Sequence, residues 1–358
     1  MPNTKIVSLI DQIVSQIPII PASKNYWLIR TESGRYYEAF RKYGFVAIGH
    51  ESISLGRFFT LQTQFKKDVD GLQQELKRIL IPVQSRDKKP SERERAAAIA
   101  AGQIIKFMLD VKKGDIIVIP SESSTRVSFG EITSTAVPEL SDSQIAQTQC
   151  PYRKRKIVKW IKDIDRDQLD PLLYKGFQAH QAINNWNGYA EYVERTINNF
   201  FIQENVGGAV ANVVLEVVAR EQINAKQLFH MGLNLLEVTD DFFKKNSIPF
   251  STDEVEVKIN LNSPGKIQFK APNAKTIWLI AVFGVLVTGG GLKIDRPQFK
   301  LDLSTQGIIQ KVIDYQNNAH DRSKMDELVK QMDSLKVLPP DDALKVLKQL
   351  STNKDLPK

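Results

Sequence analysis

The sequence predicts an α+β protein built from several segments, on three observations. In the first 202 residues, stretches that alternate apolar and polar residues are interleaved with stretches whose apolar residues recur at helical spacing. A strand, a helix and a β-hairpin then fill 203–275 as a second, smaller α/β region. Seventeen residues without a charge, 276–292, follow in a chain of which 25% is charged. These changes of character divide the chain at 1–202, 203–250, 251–275, 276–292 and 293–358, the last part reading as C-terminal helices.

Taken in order, Ile6, Leu9, Ile10, Ile13, Val14 and Ile17 predict a short amphipathic helix that ends before Pro18 and packs on its own domain. Residues 25–31 read as a strand, 34–44 as a helix closed by Gly44 at a left-handed cap, and 45–50 as a second strand. Residues 61–80 and 91–110 read as two helices with a polar link between them, Ser91 capping the second. A lysine- and glycine-marked turn leads into a buried strand ending at Pro120, and 125–134 and 152–164 are further strands. In the second region 212–220 is a strand. Residues 224–246 form a helix capped by Asn224, with Leu228, Met231, Leu235 and Val238 along one face. Val255, Val257, Ile259 and Leu261 alternate with polar residues, Asn262–Gly265 turns, and Ile267 and Phe269 resume the alternation. The edges of this hairpin are candidates for pairing between subunits of a homo-oligomer. Beyond Lys293 a short strand and helices are expected over 299–318, 321–337 and 340–350.

A net charge of +8 and a pI near 9.2 favour polyanionic partners. The single cysteine, Cys150, excludes a disulfide framework and a cysteine zinc cluster. His50, His180, His230 and His320 lack metal-ligand spacing, so no metal is expected, and no cofactor. The N-terminus lacks a secretory pattern, and a cytoplasmic setting is expected for the first domain. A phosphate loop does not occur, and "GGGLK" lacks its spacing. Neither a Ser/His/Asp arrangement nor a carboxylate–lysine strand pair emerges. A non-enzymatic role is therefore expected, with a degenerate nuclease as the enzymatic alternative.

Three stretches carry a resemblance: "YWLIRTESGRYYEAFRKYGFVAIGH" (26–50), "VKKGDIIVIPSESSTRVSFGEITS" (111–134) and "YRKRKIVKWIKDIDRDQL" (152–169). Their order resembles the PUA-like domains of the EVE and YTH kind, especially the version fused to Mrr-type restriction endonucleases. The resemblance covers about 24–202. It implies a small β-barrel whose pocket recognises a nucleic acid, a modified or flipped base, or a nucleotide, with prokaryotic anti-phage defence as the implied setting. A base would stack on aromatic side chains, and cations would contact phosphates. The candidate residues are Trp27, Arg30, Tyr36, Tyr37, Phe40, Ser121, Ser123, Arg153, Lys154, Arg155 and Trp160. The plainer reading makes the aromatics core, the serines a turn, and the basic run a solvated edge.

The uncharged run reads in two ways. At seventeen residues it reaches the lower limit for a membrane span. Trp278 sits where an interfacial aromatic belongs, and Gly284 and Gly289 would let helices approach in lipid. Phe283 lies in the same apolar stretch. On this reading the chain is a membrane-associated sensor and effector that contacts lipid, with its N-terminal domain cytoplasmic. On the alternative, 276–292 is a buried strand pair or core helix of a soluble nucleic-acid-binding adaptor.

Overall fold

The computed structural model describes residues 10–11, 14–138, 140–205, 207–219, 223–260, 265–288, 314–315 and 318–352. It is a mixed α/β protein of two compact units, 24–197 and the combination of 1–23 with 198–358. The first 23 residues thus join the C-terminal unit, not the domain that follows them. Among their described residues a strand, β1 (Ile19–Ile20), runs parallel to a strand at Phe200–Asn205. Of the helix expected at the N-terminus, Ile10 and Ile17 are buried in that unit's core, while Ile6, Leu9 and Ile13 lie outside the described residues.

Unit 24–197 is built on a six-stranded sheet. Its strands are β2 (Tyr26–Ile29), β3 (Phe45–Ile48), β4 (Ile116–Pro120), β5 (Arg126–Ile132), β6 (Lys154–Asp165) and β7 (Ile183–Asn185), in the order β3-β6-β5-β4-β2-β7. All pairs are antiparallel except β2 with β4. The expected barrel is a curled, open sheet with β3 and β7 at its ends. Both faces are covered, which is why β2 and β4 read as continuous apolar runs. Trp27, Ile29, Ile117 and Ile119 pack with four helices: α1 (Tyr37–Tyr43), α2 (Leu55–Phe65), α3 (Val69–Leu80) and α4 (Pro90–Ile105). Tyr26, Leu28, Ile116 and Val118 pack on the other side with Phe177, Trp186 and Val193. Two short helices, α5 (Asp142–Gln147) and α6 (Ala190–Ile197), complete the unit.

The helix expected over 61–80 is two helices. The chain breaks at Lys66, which has a φ of 52°, and Asp68 restarts it by accepting a hydrogen bond from the Gly71 backbone. α4 starts at Pro90, where a missing N–H is harmless, so its N-cap is Lys89 and Ser91, the expected cap, lies inside the first turn.

The C-terminal unit has a six-stranded sheet in which β1, β8 (Phe200–Asn205), β9 (Gly208–Val217), β11 (Gly265–Ala271) and β10 (Glu256–Asn260) run in the order β1-β8-β9-β11-β10, and the short β12 (Val337–Leu338) pairs antiparallel with the end of β9. The hairpin expected at 254–271 is β10 and β11, paired with Val257 opposite Phe269. The helix expected at 224–246 is α7 (Ala225–Lys245), and Asn224 caps it by accepting from the Gln227 backbone.

The uncharged run corrects the membrane reading. Residues Ala274–Thr288 form α8, a helix of 15 residues, about 22 Å long at 1.5 Å per residue against a hydrocarbon core of about 30 Å. Among the described residues no helix is long and apolar enough to cross a membrane. Instead α8 lies between β9 and β11 on one side and α7, α9 (Ala319–Ser334) and α10 (Asp341–Thr352) on the others. A helix that is apolar all round is one that is buried all round. Trp278 and Phe283 are fully buried, and Phe283 packs edge-on against Phe242 of α7 at 5.8 Å. Gly284 lets the helix approach the sheet, since a Cβ there would come within 3.3 Å of Leu215. Gly289 lies outside the described residues.

Leu279 is inaccessible in this layer. Leu279→Ala should therefore cost about 2–5 kcal/mol in urea denaturation, as a buried leucine does. A loss below about 0.5 kcal/mol, typical of a surface site, would contradict the core placement.

Candidate functional site

β6 carries the cations singled out in the sequence, and it turns most of them inward. Lys154, Arg155 and Lys156 are all buried. The Lys154 ammonium donates to the His50 carbonyl at 3.0 Å and lies 3.7 Å from Glu51. Arg155 donates to the carbonyls of Tyr152 and Cys150 and to Thr148 Oγ1, with its guanidinium 4.1 Å from the centre of the Phe45 ring. Lys156 donates to the Val111 carbonyl at 2.6 Å. Buried charges cost free energy unless they are hydrogen-bonded. These cations therefore anchor β6 to its surroundings and are not presented to a ligand. Burial pulls the Lys156 pKa down to about 8, lowers those of Lys154 and Arg155, and with Lys154 nearby lowers that of His50. Arg153 is exposed, but it pairs with Asp142 and donates to the Leu140 carbonyl.

Further along, β6 contains a bulge. Trp160 lies opposite Gly130 of β5 and Lys162 opposite Phe129, so Ile161 is an extra residue. A bulge resets the alternation of the strand that carries it. Trp160 and Asp163 consequently both serve the face covered by α1. Gly130 is required there, because a Cβ would come within 2.4 Å of Val158 and 2.7 Å of Trp160.

Over this face α1 completes a cleft of about 260 Å³ lined by Tyr37, Glu38, Arg41, Lys42, Arg126 and Asp163. Tyr37, in α1, shares a hydrogen bond of 2.6 Å with Ser128, which donates to Asp163 at 2.6 Å. Asp163 pairs with Arg41, whose guanidinium lies over the Trp160 ring at 4.9 Å. Arg126 faces Asp165 at 3.5 Å. The Trp160 indole donates to the Phe40 carbonyl at 3.1 Å, which fixes the ring. Burial raises the Tyr37 phenol pKa. The arrangement offers an oriented guanidinium on an aromatic plate, two further cations at the rim and one buried hydroxyl chain. That chemistry suits an anion attached to a planar group.

One end of α1 meets a cluster of loops with left-handed backbone. Glu32, Ser33, His50, Ser123, Ser124 and Gln149 all have positive φ, in loops next to β2, β3, β4 and β6. Such conformations concentrate where surrounding contacts over-determine the backbone. Tyr152 donates to Glu32 Oε1, and Tyr36 meets the Tyr152 ring edge-on at 5.1 Å. Gly34 is obligatory, since a Cβ would sit 2.3 Å from the Glu122 nitrogen.

Of the residues expected from the sequence, Tyr37 lines the cleft, Trp160 lies under the Arg41 guanidinium beside it, and Phe40 is buried. Tyr36 belongs to the loop cluster. Trp27 is a core residue whose indole donates to Asp115 at 2.9 Å, and Arg30 donates to the Phe177 carbonyl. Ser121 closes its turn by accepting from the Arg126 backbone, and Ser123 is exposed in the same turn. Arg41, Lys42, Arg126, Ser128 and Asp163 were not expected. Arg41 follows Tyr37 by four residues on one helix and could have been found by that spacing. Among the described residues no group of three His, Cys, Asp or Glu is placed to hold a metal ion. No protein-family model, curated protein or solved structure matches this chain.

The buried Lys156 has a measurable consequence. Its folded pKa of about 8 lies below the ordinary 10.5, so between those values the unfolded chain binds more protons and stability rises with pH. The expected gain is on the order of 1–3 kcal/mol between pH 8 and pH 10.5, measured by urea denaturation across the range. It should be absent in Lys156→Met.

Proposed function

We propose that unit 24–197 is a nucleic-acid or nucleotide reader, and that its ligand enters the cleft between α1 and the bulge of β6. The observation that supports this most is the Arg41 guanidinium held over Trp160 beside Asp163, with Lys42 and Arg126 at the same opening. A phosphate competes with the Asp163 carboxylate for Arg41, and a base takes the guanidinium's place on the indole. Arginine suits this exchange because it stays charged and presents a planar fork to oxyanions. The proposal moves the phosphate-contacting role from Arg153, Lys154 and Arg155 to Arg41, Lys42 and Arg126. The resemblance to PUA-like domains supports the same class of ligand. On this reading the protein is a non-enzymatic adaptor of a restriction-like defence system, recognising nucleic acid without cutting it.

Fluorescence anisotropy with a short labelled single-stranded oligonucleotide tests the proposal. Arg41→Ala and Arg126→Ala should each weaken binding and reduce the slope of log affinity against log salt by about 0.7 for each phosphate no longer neutralised. Trp160→Ala should cost about 1–3 kcal/mol of binding. Lys156→Met should bind as the wild type does. Equal binding by all four variants, or none by the wild type at low salt, would sink the reading.

A further inference from the structure

A second cavity, of about 380 Å³, opens in unit 24–197 among α3, the end of α4 and the loop before β7, and it shares no lining residue with the cleft. Its volume is that of a small-molecule site. α4 forms its floor, and Gly102 keeps the floor open: a Cβ there would meet only the Gln73 amide nitrogen, at 3.7 Å. Neither a clash nor a left-handed backbone requires this glycine, which costs about 1 kcal/mol against alanine inside a helix. The walls carry carboxamides. Buried Gln103 accepts from the Ile183 backbone at 2.5 Å and donates to Gln181 Oε1 at 2.8 Å. Among the described residues, the Gln181 amide nitrogen and the Gln73 side chain make no hydrogen bond, although both residues line the cavity.

Lys106 and Asp110 bring both signs of charge to the same space. Four residues apart on an α-helix they would be neighbours. Instead α4 runs on into a π-helical turn, Lys106–Asp110, closed by the Val111 N–H donating to the Lys106 carbonyl at 3.0 Å. Single π turns within helices are frequent at functional sites. Among the described residues neither side chain makes an ion pair or a hydrogen bond, with the other or with anything else.

We propose that this cavity binds a free α-amino acid with an aliphatic side chain. Such a ligand carries an ammonium and a carboxylate on one carbon, the pair of charges that an unpaired aspartate and lysine complement. Its carboxylate accepts from Lys106 and from the Gln181 amide, and its ammonium donates to Asp110. Hydrogen bonds to charged groups are the strong ones, and here they come from both ends of the ligand. The aliphatic side chain covers Val69 and Ile99, which line the cavity and are each 42% exposed. A nucleotide fits this cavity poorly, because Asp110 would face its phosphate with like charge.

Isothermal titration calorimetry of the full chain with L-leucine, L-isoleucine and L-valine tests this. At least one should bind at a single site. Its N-acetyl form, which lacks the ammonium, and its methyl ester, which lacks the carboxylate, should each bind on the order of tenfold more weakly or worse. Lys106→Met and Asp110→Asn should each raise the dissociation constant by a similar factor, as loss of a hydrogen bond to a charged group does. Gly102→Leu fills the floor and should abolish binding. Leucine is the better helix former, so this variant should keep its fold, as urea denaturation would show. No binding of the three amino acids at millimolar concentration would overturn the proposal. So would binding that the capped forms match, binding that Gly102→Leu leaves unchanged, or tighter binding of adenosine monophosphate at the same residues.

Discussion

Unit 24–197 depends on the burial of three consecutive cations at the start of β6. An ammonium or guanidinium in a core is tolerable only where oxygen atoms meet it in fixed geometry. Lys154, Arg155 and Lys156 find theirs on the backbone at His50, Tyr152, Cys150 and Val111. The carbonyls in turn belong to the loop after β3, the loop before β6 and the turn after α4. A slip of β6 by one residue would strand these charges, so the burial fixes its register against β3. With the register fixed, the bulge at Ile161 falls opposite β5 and sends Asp163 to the face beneath α1. The cleft then follows from Tyr37, Ser128, Asp163 and Arg41 meeting there.

The C-terminal unit rests on a different constraint. α8 has no polar face to give to water, so every side of it needs a partner. β9 and β11 supply one side and α7, α9 and α10 the rest. A membrane-spanning helix and a fully enclosed core helix share a composition, and their difference lies in what surrounds them. The neighbours were visible as amphipathic stretches, among them Leu228, Met231, Leu235 and Val238 on one face of α7. Their apolar faces needed something to cover, and the uncharged run was that surface.

Elements with strong local signals were legible in the sequence. The β10–β11 hairpin followed from alternation, α7 from its spacing and its Asn224 cap, and β4 from its apolar run. The break at Lys66 was not legible, because the apolar spacing continues through it and only the Asp68 cap marks the restart. The fate of 153–156 was illegible for a deeper reason. A basic run normally signals a solvated face, and carbonyls from distant loops that accept its protons leave no trace in local composition. Asp163 was hidden likewise, since a bulge reverses the alternation from which its side would be read. Trp160 and Tyr37 stood among the candidates read from the sequence, whereas Arg41 and Asp163, which meet them in the structure, did not.

The central claim is that ligand meets this chain at the cleft of α1 and β6. Photocross-linking of an oligonucleotide carrying a halogenated pyrimidine, followed by mass spectrometry of the adducted peptides, tests it most directly. The account predicts adducts on the peptide containing Trp160 or the one containing Tyr37. Adducts confined to 198–358, or to residues of 24–197 remote from the cleft, would contradict it.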